Sequence, residues 1–107
     1  MSELSRQWAE MKGYKRTRMS RVWRDPNRGN RIVQANFVED GSLAMDELIA
    51  WCGKKTGRRF RISGSFVYHF VTLTEDVFAT TCSTGEDDNL ATAIIQALIK
   101  AETAKNA

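Results

Sequence analysis

The stretch Arg58–Cys82, RRFRISGSFVYHFVTLTEDVFATTC, decides the reading of the fold. Three short runs rich in Val, Ile, Phe, Tyr and Thr are separated by two breaks, Ser63-Gly64-Ser65 and Leu73-Thr74-Glu75-Asp76. β-Branched and aromatic runs punctuated in this way predict a three-stranded antiparallel meander. In the first run Phe60 and Ile62 share a face and leave Arg59 and Arg61 on the other. In the second, Phe66, Tyr68 and Phe70 oppose Val67, His69, Val71 and Leu73. In the third, Val77, Ala79 and Thr81 oppose Phe78, Thr80 and Cys82. The second run is apolar on both faces apart from His69, which predicts a central strand covered on more than one side.

Helical patterns stand on either side. Ser83–Asp88, STGEDD, reads as a polar turn leading into a helix from about Asn89 to Thr103. Thr84 and Asp87 have the spacing of a capping box, and Asp87 or Asp88 can equally cap that helix directly. Leu90, Ala93, Ile94, Ala97, Leu98 and Ala101 fall on one face of it, with Ile95 and Ile99 just around the side. Before the meander, Glu39-Asp40-Gly41 breaks the chain, Ser42 is the expected N-cap, and a helix is expected from about Leu43 to Thr56. Ala44, Met45, Leu48, Ile49 and Cys52 form its apolar stripe, broadened by Trp51, and Gly57 ends it.

The N-terminal part is less regular. Leu4, Trp8 and Met11 recur at i, i+4 and i+7, which predicts a short helix over Ser2–Met11 with Ser2 as its cap and Gly13 as its stop. Lys12–Arg31 is compatible with a strand and turn, a loose arm, or a helix formed on contact. Asp25-Pro26-Asn27 followed by Gly29 marks a turn within it. Arg31–Val38, RIVQANFV, reads as an extra strand or an extended link. The fold class is therefore α+β: a meander flanked by two main helices and preceded by a basic arm or short helix.

A chain of 107 residues with 42% hydrophobic content has room for one domain and a real core. No apolar run reaches the ~18 residues needed to cross a bilayer, and the first residues lack the pattern of a signal peptide. These features predict a soluble cytoplasmic protein. The net charge is +3. Residues 1–31 hold nine basic side chains against Glu3, Glu10 and Asp25, whereas residues 32–107 hold seven basic and ten acidic ones. The chain thus divides into a basic arm, 1–31, and a mildly acidic α+β domain, 32–107.

No catalytic constellation stands out. His69 is the only histidine and lies in the most apolar strand, where a scaffold role is the simpler reading. Cys52 and Cys82 are expected as reduced, buried thiols, since a zinc site needs more ligands than two distant cysteines and one histidine supply. Glu86, Asp87 and Asp88 fit helix-start positions better than a metal site. No phosphate-cradling glycine motif occurs, and no metal or cofactor is implied.

The functional signal is basic. Lys12, Lys15, Arg16, Arg18, Arg21, Arg24, Arg28 and Arg31 can neutralise phosphates, while Tyr14 and Trp23 can stack on unpaired bases. Lys54, Lys55, Arg58, Arg59 and Arg61 form a second cluster at the corner between helix and sheet. The two merge into one surface if the arm folds back over the first strand.

The order helix, three strands, helix resembles that of double-stranded-RNA-binding domains, in which a basic start of the last helix reaches across phosphates. Here that start, Gly85-Glu86-Asp87-Asp88-Asn89, is acidic, which argues against that mode of binding. Residues 42–104 also resemble small phage-encoded helix–sheet–helix sandwich domains. The motifs are Met45-Asp46-Glu47-Leu48-Ile49-Ala50-Trp51 and Asn89-Leu90-Ala91-Thr92-Ala93-Ile94-Ile95-Gln96-Ala97-Leu98. That resemblance implies a phage or mobile-element origin, location in the host cytoplasm, and an adaptor or inhibitor role toward a host protein. It implies no site residues. Two expectations follow: non-catalytic binding of RNA or single-stranded nucleic acid, or binding of a host or phage protein. Pairing of two copies through an exposed strand edge is compatible with either.

Overall fold

A computed structural model describes residues 2–18, 22–75 and 81–105. It shows three helices and two three-stranded antiparallel sheets. In chain order these are α1 (Glu3–Met11), β1 (Lys15–Arg16), β2 (Trp23–Asp25), β3 (Arg31–Val33), α2 (Gly41–Gly53), β4 (Arg59–Gly64), β5 (His69–Thr74), β6 (Thr81–Asp87) and α3 (Leu90–Lys105). The first sheet has the order β1-β2-β3 and the second the order β4-β5-β6, the meander read from the sequence.

The core is centred on α3. Ala91, Ala93, Ile94, Ile95, Ala97, Leu98, Ile99 and Ala101 are all buried, which is more than one face of a helix. β5 and β6 pack against α3, and so do α1 and α2. Ile95 and Ile99, placed at the side of the stripe by periodicity, are therefore as enclosed as its centre. The helix N-terminus is capped by Asn89, whose Oδ1 accepts from the Thr92 N–H at 3.0 Å, rather than by Thr84, Asp87 or Asp88. Asp87 instead accepts from the Asn89 N–H at 2.9 Å.

The meander differs from expectation in three respects. First, the turn SGSFVY is longer, so β5 starts at His69 and Phe66, Val67 and Tyr68 lie outside it. Phe66 is fully exposed. Second, STGED is strand rather than turn: β6 runs to Asp87, with Val71 paired to Gly85 and Leu73 to Ser83. The expected third run falls largely on residues 76–80, outside the described residues. Third, among the described residues only one sheet face is covered. Val71, Leu73, Ser83 and Gly85 are buried on the side of α3, whereas Arg59, Arg61, Ser63, Phe70, Thr84 and Glu86 on the opposite side are exposed. α2 packs mainly on α3, not on the second face.

Glycine explains why a strand could be mistaken for a turn. Gly85 lies so close beneath α3 that a Cβ there would meet the Ala93 carbonyl oxygen and come within 2.8 Å of the Ala97 nitrogen. Ser83, one step away on the same face, donates its hydroxyl to the Ala97 carbonyl at 2.7 Å. Small and polar residues in this strand let a helix backbone approach the sheet; they do not turn the chain.

α2 is capped by Asp40, whose carboxylate accepts from the Ser42 and Leu43 N–H groups, so the cap lies two residues before the Ser42 expected. Ala44, Leu48 and Trp51 are its buried residues, and Ile49, placed in the apolar stripe, is 57% exposed. Trp51 Nε1 donates to Glu102 at 3.1 Å and ties α2 to α3. Ser2 caps α1 by accepting from the Ser5 N–H. Glu39 then anchors that helix, taking the Ser2 N–H at 2.6 Å and the Ser5 hydroxyl at 2.9 Å. Burial acts against the charge of Glu39, but these bonds outweigh it and hold the carboxyl below its ordinary range.

The segment drawn as an arm contributes to the same core. Trp8, Ala9 and Trp23 belong to one hydrophobic cluster with Leu48, Trp51, Leu73 and Leu98. Its central part is a strand-turn-strand unit. Asp25 caps a 3₁₀ turn over Pro26–Arg28, accepting from the Asn27 N–H, and Gly29 (φ 68°) and Asn30 (φ 58°) reverse the chain in the left-handed region.

Candidate nucleic-acid interface

The basic residues singled out in the sequence fall into three structural groups. The first is structural. Trp23 is 1% exposed and so is closed to any base; its Nε1–H has no hydrogen-bond partner among the described residues. Tyr14 is half-buried against the core. Lys12 lies 5.0 Å from the Tyr14 ring centroid and is paired with Glu47, which also accepts from Trp8 Nε1 at 2.7 Å. Burial alone would lower the Lys12 pKa, but the hydrogen bond with Glu47 reverses this and raises it. Arg58 has a side chain only 2% exposed. Its guanidinium lies 4.2 Å over the Trp51 ring and bonds to the Trp51 carbonyl and to Glu75, both at 3.1 Å. Trp23 and Arg58 are thus corrections to the expected binding set: the first is core, the second a clamp between α2, β4 and the end of β5.

The second group lies on the N-terminal sheet. Lys15 pairs with Arg24 and Arg24 with Ile32, so these three side chains share one face. All three are exposed, Ile32 at 62%. The Arg24 guanidinium bonds to the Asn30 carbonyl at 2.9 Å, a neutral partner, and has no ion pair among the described residues. Like charges directly opposite each other across an antiparallel pair are unfavourable unless an anion lies between them. On the other face Arg16 sits 5.8 Å over the Trp23 ring. Arg28 is exposed with a long 3.8 Å contact to Asp25; Arg18 and Arg31 are exposed. Arg21 lies outside the described residues.

The third group sits at the other sheet. Lys54 and Lys55 are exposed beyond α2, and Arg59 and Arg61 project from β4 on the uncovered face. Among the described residues the two sheets share no strand pairing.

A cleft of about 510 Å³ is lined by members of all three groups, Lys12, Tyr14, Arg28 and Lys54, together with Asp25, Asp46 and Glu47. It carries both signs of charge, and two of its three cations, Lys12 and Arg28, already face Glu47 and Asp25. That makes it a poor phosphate site.

Signals the sequence reading did not use lie at the hairpin. Tyr68 and Phe70 form an edge-to-face pair with centroids 5.3 Å apart, 39% and 42% exposed. Their exposure follows from tertiary structure, because among the described residues no helix covers that face. Among the described residues no group of three or more His, Cys, Asp or Glu could hold a metal ion. No helix among the described residues is long and apolar enough to cross a membrane. Cys52 and Cys82 are free thiols, half-buried, and burial raises both pKa values; nearby Glu75 adds to the shift at Cys82. Comparison of the chain with protein-family models, with curated proteins and with solved structures finds no match.

Proposed function

We propose that this protein binds nucleic acid without catalysis, by holding phosphates on its N-terminal sheet. The observation that carries this reading is the exposed cross-strand placement of Lys15 against Arg24. Two cations held side by side repel one another, and a phosphate oxygen placed between them relieves that repulsion while releasing counterions. Arg18 and Arg28 are further exposed cations nearby, whereas Arg31 pairs with Asp25 and lies on the opposite sheet face from Lys15 and Arg24. With Trp23 in the core, base stacking from this unit is lost, so the reading is of phosphate-dominated, sequence-tolerant binding.

The test is fluorescence anisotropy with labelled single-stranded RNA, single-stranded DNA and duplex DNA over a series of salt concentrations. Binding should weaken steeply with salt, and Lys15→Glu with Arg24→Glu should lower affinity by about ten-fold or more at low salt. No binding at low salt, or unchanged binding by the double variant, overturns the proposal.

A second reading, an adaptor or inhibitor of the kind that the phage-domain resemblance implies, is favoured by the apolar side chains at the hairpin. Phe66 and Val67 are 103% and 73% exposed there. Recovery of one stoichiometric protein partner after nuclease treatment supports it, and loss of that partner in Phe66→Ser should follow.

A further inference from the structure

The two edges of the meander are treated differently. On β6, the Glu86 N–H donates to the Gln96 side chain at 3.2 Å and the Thr84 carbonyl accepts from Lys100 at 3.1 Å. In an antiparallel strand a residue's N–H and C=O point the same way, so Thr84 and Glu86 share the outward edge, and α3 occupies it. On β4 no such cover exists among the described residues. Arg59, Phe60, Arg61, Ser63 and Gly64 are exposed and Ile62 half-buried. Alternate residues of β4 therefore present unpaired backbone donors and acceptors to solvent.

The side chains of β4 specify what can pair there. Arg59 and Arg61 lie on the uncovered sheet face, opposite Thr74 and Thr72. Phe60 and Ile62 lie on the α3 side, opposite Leu73 and Val71, and Phe60 remains 40% exposed. A second copy is a poor occupant: two-fold pairing in the registers that use most of the strand sets these arginines opposite or diagonal to their copies. The edge of β6 in another copy is already taken by Gln96 and Lys100. A nucleic-acid strand matches the arginines but neither the backbone acceptors nor the apolar side.

We propose that β4 is an acceptor edge for an extended peptide segment of another protein, one that alternates carboxylate and apolar side chains. Its carboxylates lie beside Arg59 and Arg61, its apolar residues continue the surface of Phe60 and Ile62, and its backbone completes a fourth strand. The arginines both exclude self-pairing and select the opposite charge. This proposal is independent of the phosphate reading, which rests on Lys15 and Arg24.

The test uses an end-capped synthetic peptide alternating glutamate and valine, followed by amide chemical shifts and amide hydrogen exchange of the whole protein. Shifts and slowed exchange should concentrate in residues 59–64. Methylating alternate backbone nitrogens of the peptide should abolish binding with its charge intact, which mere electrostatic attachment would not show. Arg59→Glu with Arg61→Glu should weaken the glutamate peptide about ten-fold and gain binding to a lysine–valine peptide. The gain keeps the test informative, because an unfolded variant cannot show it. Absence of protection at β4, perturbation centred on Lys15 and Arg24, or stronger protection of β4 by a single-stranded oligonucleotide overturns the proposal. In the first case Arg59 and Arg61 serve only to keep copies apart.

Discussion

Gly85 of β6 and Ala93 of α3 meet backbone to backbone: the space that a Cβ at position 85 would need is occupied by the Ala93 carbonyl oxygen. The contact sets how closely the central helix lies on its sheet. Ser83 reaches the Ala97 carbonyl from the same strand, so two successive inward positions serve one approach. Gly85→Ala should force helix and strand apart and destabilise the protein by about 3 kcal/mol. Urea unfolding measures this, and a loss within ~0.5 kcal/mol would contradict the close packing.

Arg58 is the basic residue whose role changes most between sequence and structure. It stacks over Trp51 and bonds to a carbonyl and a carboxylate while almost wholly enclosed. Arg58→Ala should cost about 2 kcal/mol through lost packing and hydrogen bonds. Its effect on oligonucleotide affinity, measured on the folded fraction, should be small beside that of Lys15→Glu with Arg24→Glu. Equal effects would return Arg58 to the binding surface.

Glu47 joins α2 to α1 by accepting from Trp8 and Lys12 together. Glu47→Ala leaves both donors without this acceptor in a part-buried site and should destabilise by about 2 kcal/mol. Lys12→Met removes one donor and should cost less. Thermal melts of both variants rank them, and the reverse order would refute the shared-acceptor account.

The Glu39 contacts predict a pH dependence with a definite sign. A carboxyl whose folded pKa is depressed contributes stability above its unfolded pKa, about 4.3 for glutamate, and that contribution disappears as the pH falls through the lower folded value. Glu39→Gln should therefore be less stable than the parent near neutral pH, with the gap closing as the solution is acidified. Urea midpoints across that window test it; a gap that widened in acid would have the wrong sign.

Cys52 and Cys82 should behave as thiols rather than thiolates at neutral pH, because burial raises both pKa values. Alkylation of the native protein should be slower than that of the urea-unfolded chain at the same pH. Equal rates would show that neither site is protected.

What the sequence determined by itself is what local spacing encodes. The alternation of Arg59–Ile62 and the β-branched and aromatic run Phe66–Leu73 specify strands, although the second strand begins only at His69, and the apolar density of Leu90–Ala101 specifies a helix. Ser2 at the start of α1 follows from the chemistry of an exposed amide needing an acceptor. Tertiary structure decided which of these surfaces are shared. STGED looks like a turn because Gly and Ser are judged by backbone freedom, and only the nearness of α3 shows that their smallness is what matters. Phe70 and Ile49 look like core because they are apolar, yet both are exposed. Trp23 and Arg58 look available to a ligand because Trp stacks and Arg pairs, but both partners are found within the chain. Burial is a property of two surfaces in contact, and one strand or helix read alone contains only its own side.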